Sequence, residues 1–318
     1  MRYLLDVDPG HDDMLMILLA AQHLELVGIT TVAGNQSLEK VTNNTLKILE
    51  LAGLERLPVA KGMGASLLRR THYEPTMHGE SGLDGFRFPE PSLGLHPSHG
   101  VDFLIDQVTS HADVAVIATG PLTNVATAIL LEPKIVDRIP MLSLMAGSIT
   151  FGNATAAAEF NVFADPEAAD IVFRSGIPIK MCGLNVTRQA GASEADIERI
   201  RALESEVGRV VADLLTFFLG ALRGRYGLDT ASLHDPCAAA LLIEPSLFTL
   251  EPMHVAVELA GEHTRGMTVC DYRFARLWAS EGWKRDGSAT TPHPNAEVAT
   301  AVNREGFMEL MIDALSRY

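Results

Sequence analysis

The chain has 318 residues, 47% apolar and 20% charged, with 25 Lys plus Arg against 40 Asp plus Glu for a formal net charge of −15. That much apolar material can bury a core and offset chain entropy, which excludes intrinsic disorder. The acidic balance, with no run of basic residues, excludes a nucleic-acid or anionic-membrane surface, because either needs a basic stripe to displace counterions.

Short β-rich runs alternate with longer segments of helical period, so the expected fold class is α/β, an open, mostly parallel central sheet flanked by helices. Strands are expected at residues 3–7, 26–33, 114–118, 141–145, 177–182 and 254–259. A helix over residues 12–23 separates the first two. In the next helix Leu38, Val41, Thr45, Ile48, Leu49 and Ala52 share one face, Ser37 can cap the start and Gly53 can end it. Residues 62–98 are rich in Gly, Pro and His with little periodicity, and read as a long functional excursion. A helical pattern over 194–222 is followed by an irregular stretch at 224–233 and a helix beginning near Asp235. No linker, repeat or low-complexity tract divides the chain, so residues 1–318 read as one domain.

Cys182, Cys237 and Cys270 are far apart, odd in number and never arranged as Cys-x-x-Cys, which suggests neither a disulfide framework nor a zinc knuckle. Asp6 interrupts the apolar stretch after Arg2, too early for a signal peptide. The longest strictly apolar run, residues 14–21, falls short of the roughly 20 residues that cross a bilayer. The expectation is a cytoplasmic protein.

The chemistry concentrates in Asp6-Val7-Asp8-Pro9-Gly10-His11-Asp12-Asp13, four carboxylates at the end of the first strand. Asp6 and Asp8 share a side of that strand by its period of two, Pro9-Gly10 turns the chain, and Asp12 and Asp13 enter the next helix. Capping a helix needs one carboxylate, whereas several together repel unless a cation or strong donors neutralise them. All-oxygen ligands at a strand's carboxyl end point to a hard cation, Ca²⁺ or Mg²⁺. The spacing excludes an EF-hand, since Gly10 and Ile17 stand where ligands belong. A Mg²⁺-dependent aspartyl phosphatase of the haloacid dehalogenase class, with Asp6 as nucleophile and Asp8 as general acid, also opens with Asp-x-Asp. That pattern wants Thr or Val where this chain has Gly10, and it leaves Asp12 and Asp13 unexplained.

Further polar clusters fall where other strands end. Singly, each has a structural alternative: Asn35 as a turn residue, Thr119 and Asn161 as caps, Glu159 as a solvated carboxylate, Asp235 as an N-cap. Together, Asp8-Pro9-Gly10-x-Asp12-Asp13, Val32-Ala33-Gly34-Asn35, His78-Gly79-Glu80-Ser81-Gly82, Thr119-Gly120-Pro121-Leu122-Thr123-Asn124, Glu159-Phe160-Asn161 and His234-Asp235-Pro236 resemble the inosine-uridine-preferring nucleoside hydrolase family, in the expected order from Tyr3 to the region of Arg273.

The resemblance implies a Rossmann-like nucleoside hydrolase fold and a Ca²⁺ ion held by Asp8, Asp13, the backbone carbonyl of Thr119 and Asp235. The ion would lower the pKa of a bound water, which Asp8 deprotonates as general base. Asp12 and Asn35 would bind the ribose 2′ and 3′ hydroxyls, and Asn153, Glu159 and Asn161 the 3′ and 5′ side; Met145 and Phe160 are counted with the substrate contacts. Asp6 would support these groups from behind. Breaking a C1′–N bond develops positive charge on the ribosyl ring, which a carboxylate-rich pocket stabilises and which the same pocket's repulsion of a 5′-phosphate confines to nucleosides.

For the leaving base, His234 is the leading proton donor, His78 can face the base, and Tyr226, with Arg223 and Arg225 nearby, can close over it. Purine-specific relatives stack the base between Trp side chains; Trp278 and Trp283 lie outside the two expected loops, which favours a nonspecific or pyrimidine-preferring enzyme acting on uridine, cytidine and inosine. In Met145-Ala146-Gly147-Ser148, Ala stands where members often have Gly, and residues 278–303 carry no mapped motif. The resemblance further implies a homodimer or homotetramer. A non-catalytic nucleoside-binding protein is the alternative, disfavoured because binding alone does not require Asp8.

Overall fold

A computed structural model of the chain describes residues 1–73, 75–273 and 293–318. The first half runs β1 (Arg2–Val7), α1 (His11–His23), β2 (Glu25–Thr31), α2 (Leu38–Leu51), β3 (Val59–Lys61), α3 (Pro75–His78), α4 (Gly100–Ser110), β4 (Val114–Ala118), α5 (Thr123–Leu131) and β5 (Leu142–Met145). Then come α6 (Phe160–Ala164), α7 (Pro166–Phe173), β6 (Ile179–Cys182), α8 (Leu184–Thr187), β7 (Gly191–Ala192), α9 (Glu194–Arg201), α10 (Glu206–Tyr226), β8 (Ala231–Ser232) and α11 (Pro236–Ile243). The chain ends with β9 (Phe248–Val257), β10 (Thr268–Asp271), β11 (Ala296–Val302) and α12 (Arg304–Leu315).

Among the described residues, nine strands form one sheet in the order β10-β9-β11-β6-β5-β4-β1-β2-β3. From β3 to β11 every neighbouring pair is parallel, and β9 and β10 add an antiparallel edge. This is the expected mostly parallel α/β sheet. Its strands are apolar on both faces, as a sheet covered on both sides requires. Leu5, Val7, Ile29 and Ile117 join one core with α1, α10, α11 and α12, while Leu4, Val116, Leu144 and Met181 join the other with α4, α5 and α7. The chain first winds outward from β1 to β3, then returns past β1 to β4 and winds the other way. The carboxyl ends of β1 and β4 therefore flank a topological switch point, where open α/β sheets leave a crevice for ligands.

Several boundaries differ from those expected, some through local caps and some through pairing with distant strands. The helical pattern over 194–222 is two helices, because Ser193 caps α9, Ser205 caps α10, and Glu204 between them adopts a positive φ of 57°. The latter helix runs on through Tyr226 until Gly227, at φ 66°, ends it. The expected strand at 254–259 begins earlier, at Phe248, because its first half pairs with β11. The short strand β3 and the late strands β10 and β11 were not anticipated. Among the described residues, no helix is long and apolar enough to cross a membrane.

Helix α1 is buried from His11 to Ala20, so its apolar residues surround it rather than forming a stripe. It packs against α11 and α12 and carries Asp12 and Asp13 in its first turn. Ile17→Ala, at a fully buried position, is expected to remove about 2–5 kcal/mol of stability. Urea unfolding checks this as a lower midpoint at unchanged slope; a midpoint equal to wild type would contradict the packing.

Candidate active site

Asp8 leaves β1 at the switch point. Its Oδ2 accepts a hydrogen bond from the backbone N–H of Asn35 (2.7 Å), while its buried Oδ1 has no hydrogen-bond partner. Two glycines make this geometry possible. A Cβ at Gly34 would overlap Asp8 Oδ2, and one at Gly120 would lie 2.8 Å from Oδ1. The glycines of the second and fourth strand ends therefore clamp the carboxylate from both sides.

Asp13 accepts from the backbone N–H of Gly10 (2.9 Å) and Asp8 (3.3 Å), the Thr119 hydroxyl (3.1 Å) and the Asn35 amide (3.3 Å). Asp12 accepts from the backbone N–H of His234 and Asp235. Asp235 sits at the N-cap position of α11 without capping it; its carboxyl shares a hydrogen bond with Asp13 instead. Oxygens of Asp12, Asp13 and Asp235 lie within 4.8 Å of one another, close enough to hold a metal ion. Burial pushes all these carboxyls above their ordinary range: Asp12 to about 7, Asp8 and Asp235 well up, Asp13 upward. Mutual repulsion adds to burial for Asp8, Asp12 and Asp235.

The structure brings the expected positions together. Asp12, Asn35, His78, Thr119, Met145, Asn153, Glu159, Phe160, Asn161, Tyr226, His234 and Asp235 all line one pocket, with Asp8 and Asp13 buried beneath it. Glu159 is buried rather than solvated: it caps α6 by accepting from the backbone N–H of Asn161 (2.8 Å) and Val162 (3.2 Å), and also holds Gly147 (2.8 Å). Burial lifts its carboxyl to about 7. Asn161 is no cap; its amide Nδ2 donates to the Thr119 carbonyl (2.7 Å) and the Met145 carbonyl (3.0 Å). Asn153 accepts from the Phe160 N–H (2.9 Å).

Asp6 is fully buried behind the pocket, accepting from the Thr30 hydroxyl (2.6 Å) and the Asn124 amide (2.7 Å). Both bonds go to Oδ1, so Asp6 ties β1 to β2 and α5 from outside the pocket lining, and its Oδ2 has no hydrogen-bond partner. Burial raises its carboxyl to about 6.

The other half of the pocket is apolar and aromatic. His78 stacks on His11 (5.2 Å) and Phe218 (5.3 Å), and His11 hydrogen-bonds the Asp84 carbonyl (2.7 Å), which ties the Gly-rich excursion to α1. Gly10 permits this approach, since a Cβ there would meet the His78 ring at 2.7 Å. His234 Nδ1 pairs with the Thr187 hydroxyl (2.7 Å), and burial with the nearby Arg188 charge lowers its ring to about 4. Arg223 turns away to Glu194 (2.8 Å) instead of approaching the base, whereas Arg225 lies over the Tyr226 ring (5.5 Å). Trp278 and Trp283 lie outside the described residues. Met77, Ala154, Arg188, Phe218, Leu222, Leu228 and Ser232 also line the pocket and were not anticipated. For Phe218 and Leu222 the signal was present, as their spacing of four on a helix puts them on Tyr226's face.

Gly34→Ala is expected to fold, with an unchanged far-UV spectrum, but to displace Asp8 and weaken divalent-cation binding by about 10- to 100-fold. Calorimetry checks it; wild-type affinity would contradict the clamp.

The inosine-uridine preferring nucleoside hydrolase profile matches residues 3–309. The chain is 44% identical to the pyrimidine-specific ribonucleoside hydrolase RihA of Shewanella oneidensis, over 99% of this chain and 96% of that one. It is 42% identical to the protein of the same name from Photobacterium profundum, over 99% and 98%. Among solved structures, the purine-preferring ribonucleoside hydrolase from Gardnerella vaginalis superposes with a TM-score of 0.90 at 32% identity, covering 100% of this chain and 98% of its own. A carboxylate-floored pocket at the switch point, a shared fold and matches along nearly the whole chain lead to one conclusion: the protein belongs to the inosine-uridine preferring nucleoside hydrolase family, N-glycosidases that hydrolyse ribonucleosides.

Proposed function

We propose that this chain is a Ca²⁺-dependent, pyrimidine-preferring ribonucleoside hydrolase of nucleoside salvage, working in the cytoplasm as a single-domain protomer of a homo-oligomer. The observation that carries the reading is the Asp8 carboxylate, buried at the foot of the pocket with one oxygen fixed by Asn35 and the other unpartnered. The base preference follows from the RihA relatives, whose names describe pyrimidine-specific enzymes.

The donor set fits a hard cation. It offers carboxylate and carbonyl oxygens only, and the buried Asp8 Oδ1 has no hydrogen-bond partner, so a negative charge on it is favoured only beside a cation. Asp8, Asp13, Asp235 and the Thr119 carbonyl would hold Ca²⁺, which when bound supplies Lewis acidity and anchor points for two ribose hydroxyls. The remaining work belongs to the chain. Asp8 takes the proton of the water that attacks C1′. Asp12 and Asn35 hold the 2′ and 3′ hydroxyls, and Glu159, the free Nδ2 of Asn153 and the free Oδ1 of Asn161 hold the 3′ and 5′ side. As positive charge develops on the ribosyl ring, these oxygens stabilise it without rearranging. Burial and the Arg188 charge lower the His234 ring to about 4, which favours a hydrogen bond from the ring to the departing base over a stored proton. His78, Phe218 and Tyr226 provide the faces between which a base can lie.

Initial rates on uridine, cytidine, inosine and uridine 5′-monophosphate test the reading. The pyrimidine nucleosides are expected to be cleaved in preference to inosine and the monophosphate not at all; rapid cleavage of the monophosphate would contradict it. Asp8→Asn is expected to bind nucleoside while losing on the order of 10²–10⁴ in kcat, and unchanged turnover would remove Asp8 as the base.

A further inference from the structure

We infer that Arg188 is the residue that selects keto pyrimidines: from the pocket rim, its guanidinium donates to the C4 carbonyl oxygen of the base and stabilises the anion that leaves. The inference rests on the reading of this pocket as a pyrimidine nucleoside site, and it assigns one side chain to the base preference.

Among the described residues that line the pocket, Arg188 is the one Lys or Arg, in a lining that also holds Asp12, Glu159 and Asp235. It follows α8 directly, one residue after Thr187, the hydroxyl partner of His234. No carboxylate neutralises it among the described residues. Its guanidinium instead lies over the Phe151 ring, 4.4 Å from the centroid. That contact orients the planar group while leaving its N–H edge available. It lines the pocket together with His234 and Tyr226, and its charge helps to lower the His234 ring.

Position decides which edge of the base it meets. The carboxylates that address the ribose are buried at the foot of the pocket, whereas Arg188 is exposed at its mouth. A pyrimidine joined at C1′ points N1 and O2 toward the foot and its C4 substituent toward the mouth. Arginine has only donors to offer. Uracil presents an acceptor at C4, and cytosine presents an amino donor there. The same contact acts on the chemical step. Water oxygen bonds to C1′, its proton passes to Asp8, and the C1′–N1 pair moves onto the base, where it spreads to O2 and O4; the base then takes a proton from solvent. Arg188 keeps its own protons throughout and draws charge to O4. A purine leaves most readily after protonation at N7, and a fixed cation opposes that.

The test measures kcat/KM for uridine, cytidine and inosine with wild type, Arg188→Gln and Arg188→Lys, each checked by melting temperature. The expected result is a fall in the uridine-to-cytidine ratio on the order of tenfold or more for Arg188→Gln, with an intermediate ratio for Arg188→Lys, which keeps the charge but not the planar fork. Parallel losses on all three nucleosides, or no change, would overturn the assignment, as would wild-type cleavage of uridine 5′-monophosphate that Arg188→Gln abolishes, because Arg188 would then serve a phosphate. A wild-type protein active on nucleosides whose ratio ignores Arg188 refutes only this inference; one inactive on every nucleoside refutes the proposed function and this inference with it.

Discussion

The structure depends on keeping Asp8, Asp12, Asp13 and Asp235 together out of water. Like charges at such spacing repel strongly in a low-dielectric interior, and each carboxyl is displaced upward from its ordinary range. The chain answers with directed positive ends. Asp12 and Asp13 occupy the first turn of α1, and Asp12 also accepts from the backbone at the start of α11, so two helix N-termini converge on the cluster. Backbone N–H groups of Gly10 and Asn35 complete the support. What these dipoles leave uncompensated is the Asp8 oxygen without a partner, and that residual negative charge motivates the proposed cation.

From this constraint the surrounding architecture follows. The reversal of winding between β1 and β4 opens the crevice, and glycines at the ends of β2 and β4 let the chain close tightly around Asp8. Glu159 and Asn161 are shaped by the same economy of donors: each holds neighbouring backbone while standing in the pocket wall. In the proposed reaction a wall built from oxygens suits the positive character of a ribosyl transition state. The apolar half, with His78 stacked on Phe218, suits a flat neutral base.

Much of this was legible because it is local. The first strand, its turn and the entry to α1 lie within a dozen residues, and strand period and turn chemistry place the Asp cluster without knowledge of the rest. The strand at Val114–Ala118 was found with its observed ends, since it is a short β-branched run bounded by polar residues. Other features depend on partners distant in sequence. The strand β11 has its identity from pairing with β6 and β9, and the three-residue β3 from pairing with β2. The break between α9 and α10 carries no Gly or Pro, so only the serine caps announce it. The role of Arg188 is invisible in sequence because nothing local marks it; its meaning comes from Phe151 beneath it and the pocket beside it.

The central claim is that a hard cation neutralises the buried carboxylates and that the reaction needs it. Calcium titrated by calorimetry into chelator-treated protein, with uridine cleavage followed in the same samples, addresses it most directly. The account predicts a single calcium site per chain, whose filling raises the melting temperature and restores cleavage in proportion to occupancy. Chelator-treated protein that binds no calcium and cleaves uridine at the full rate would contradict it.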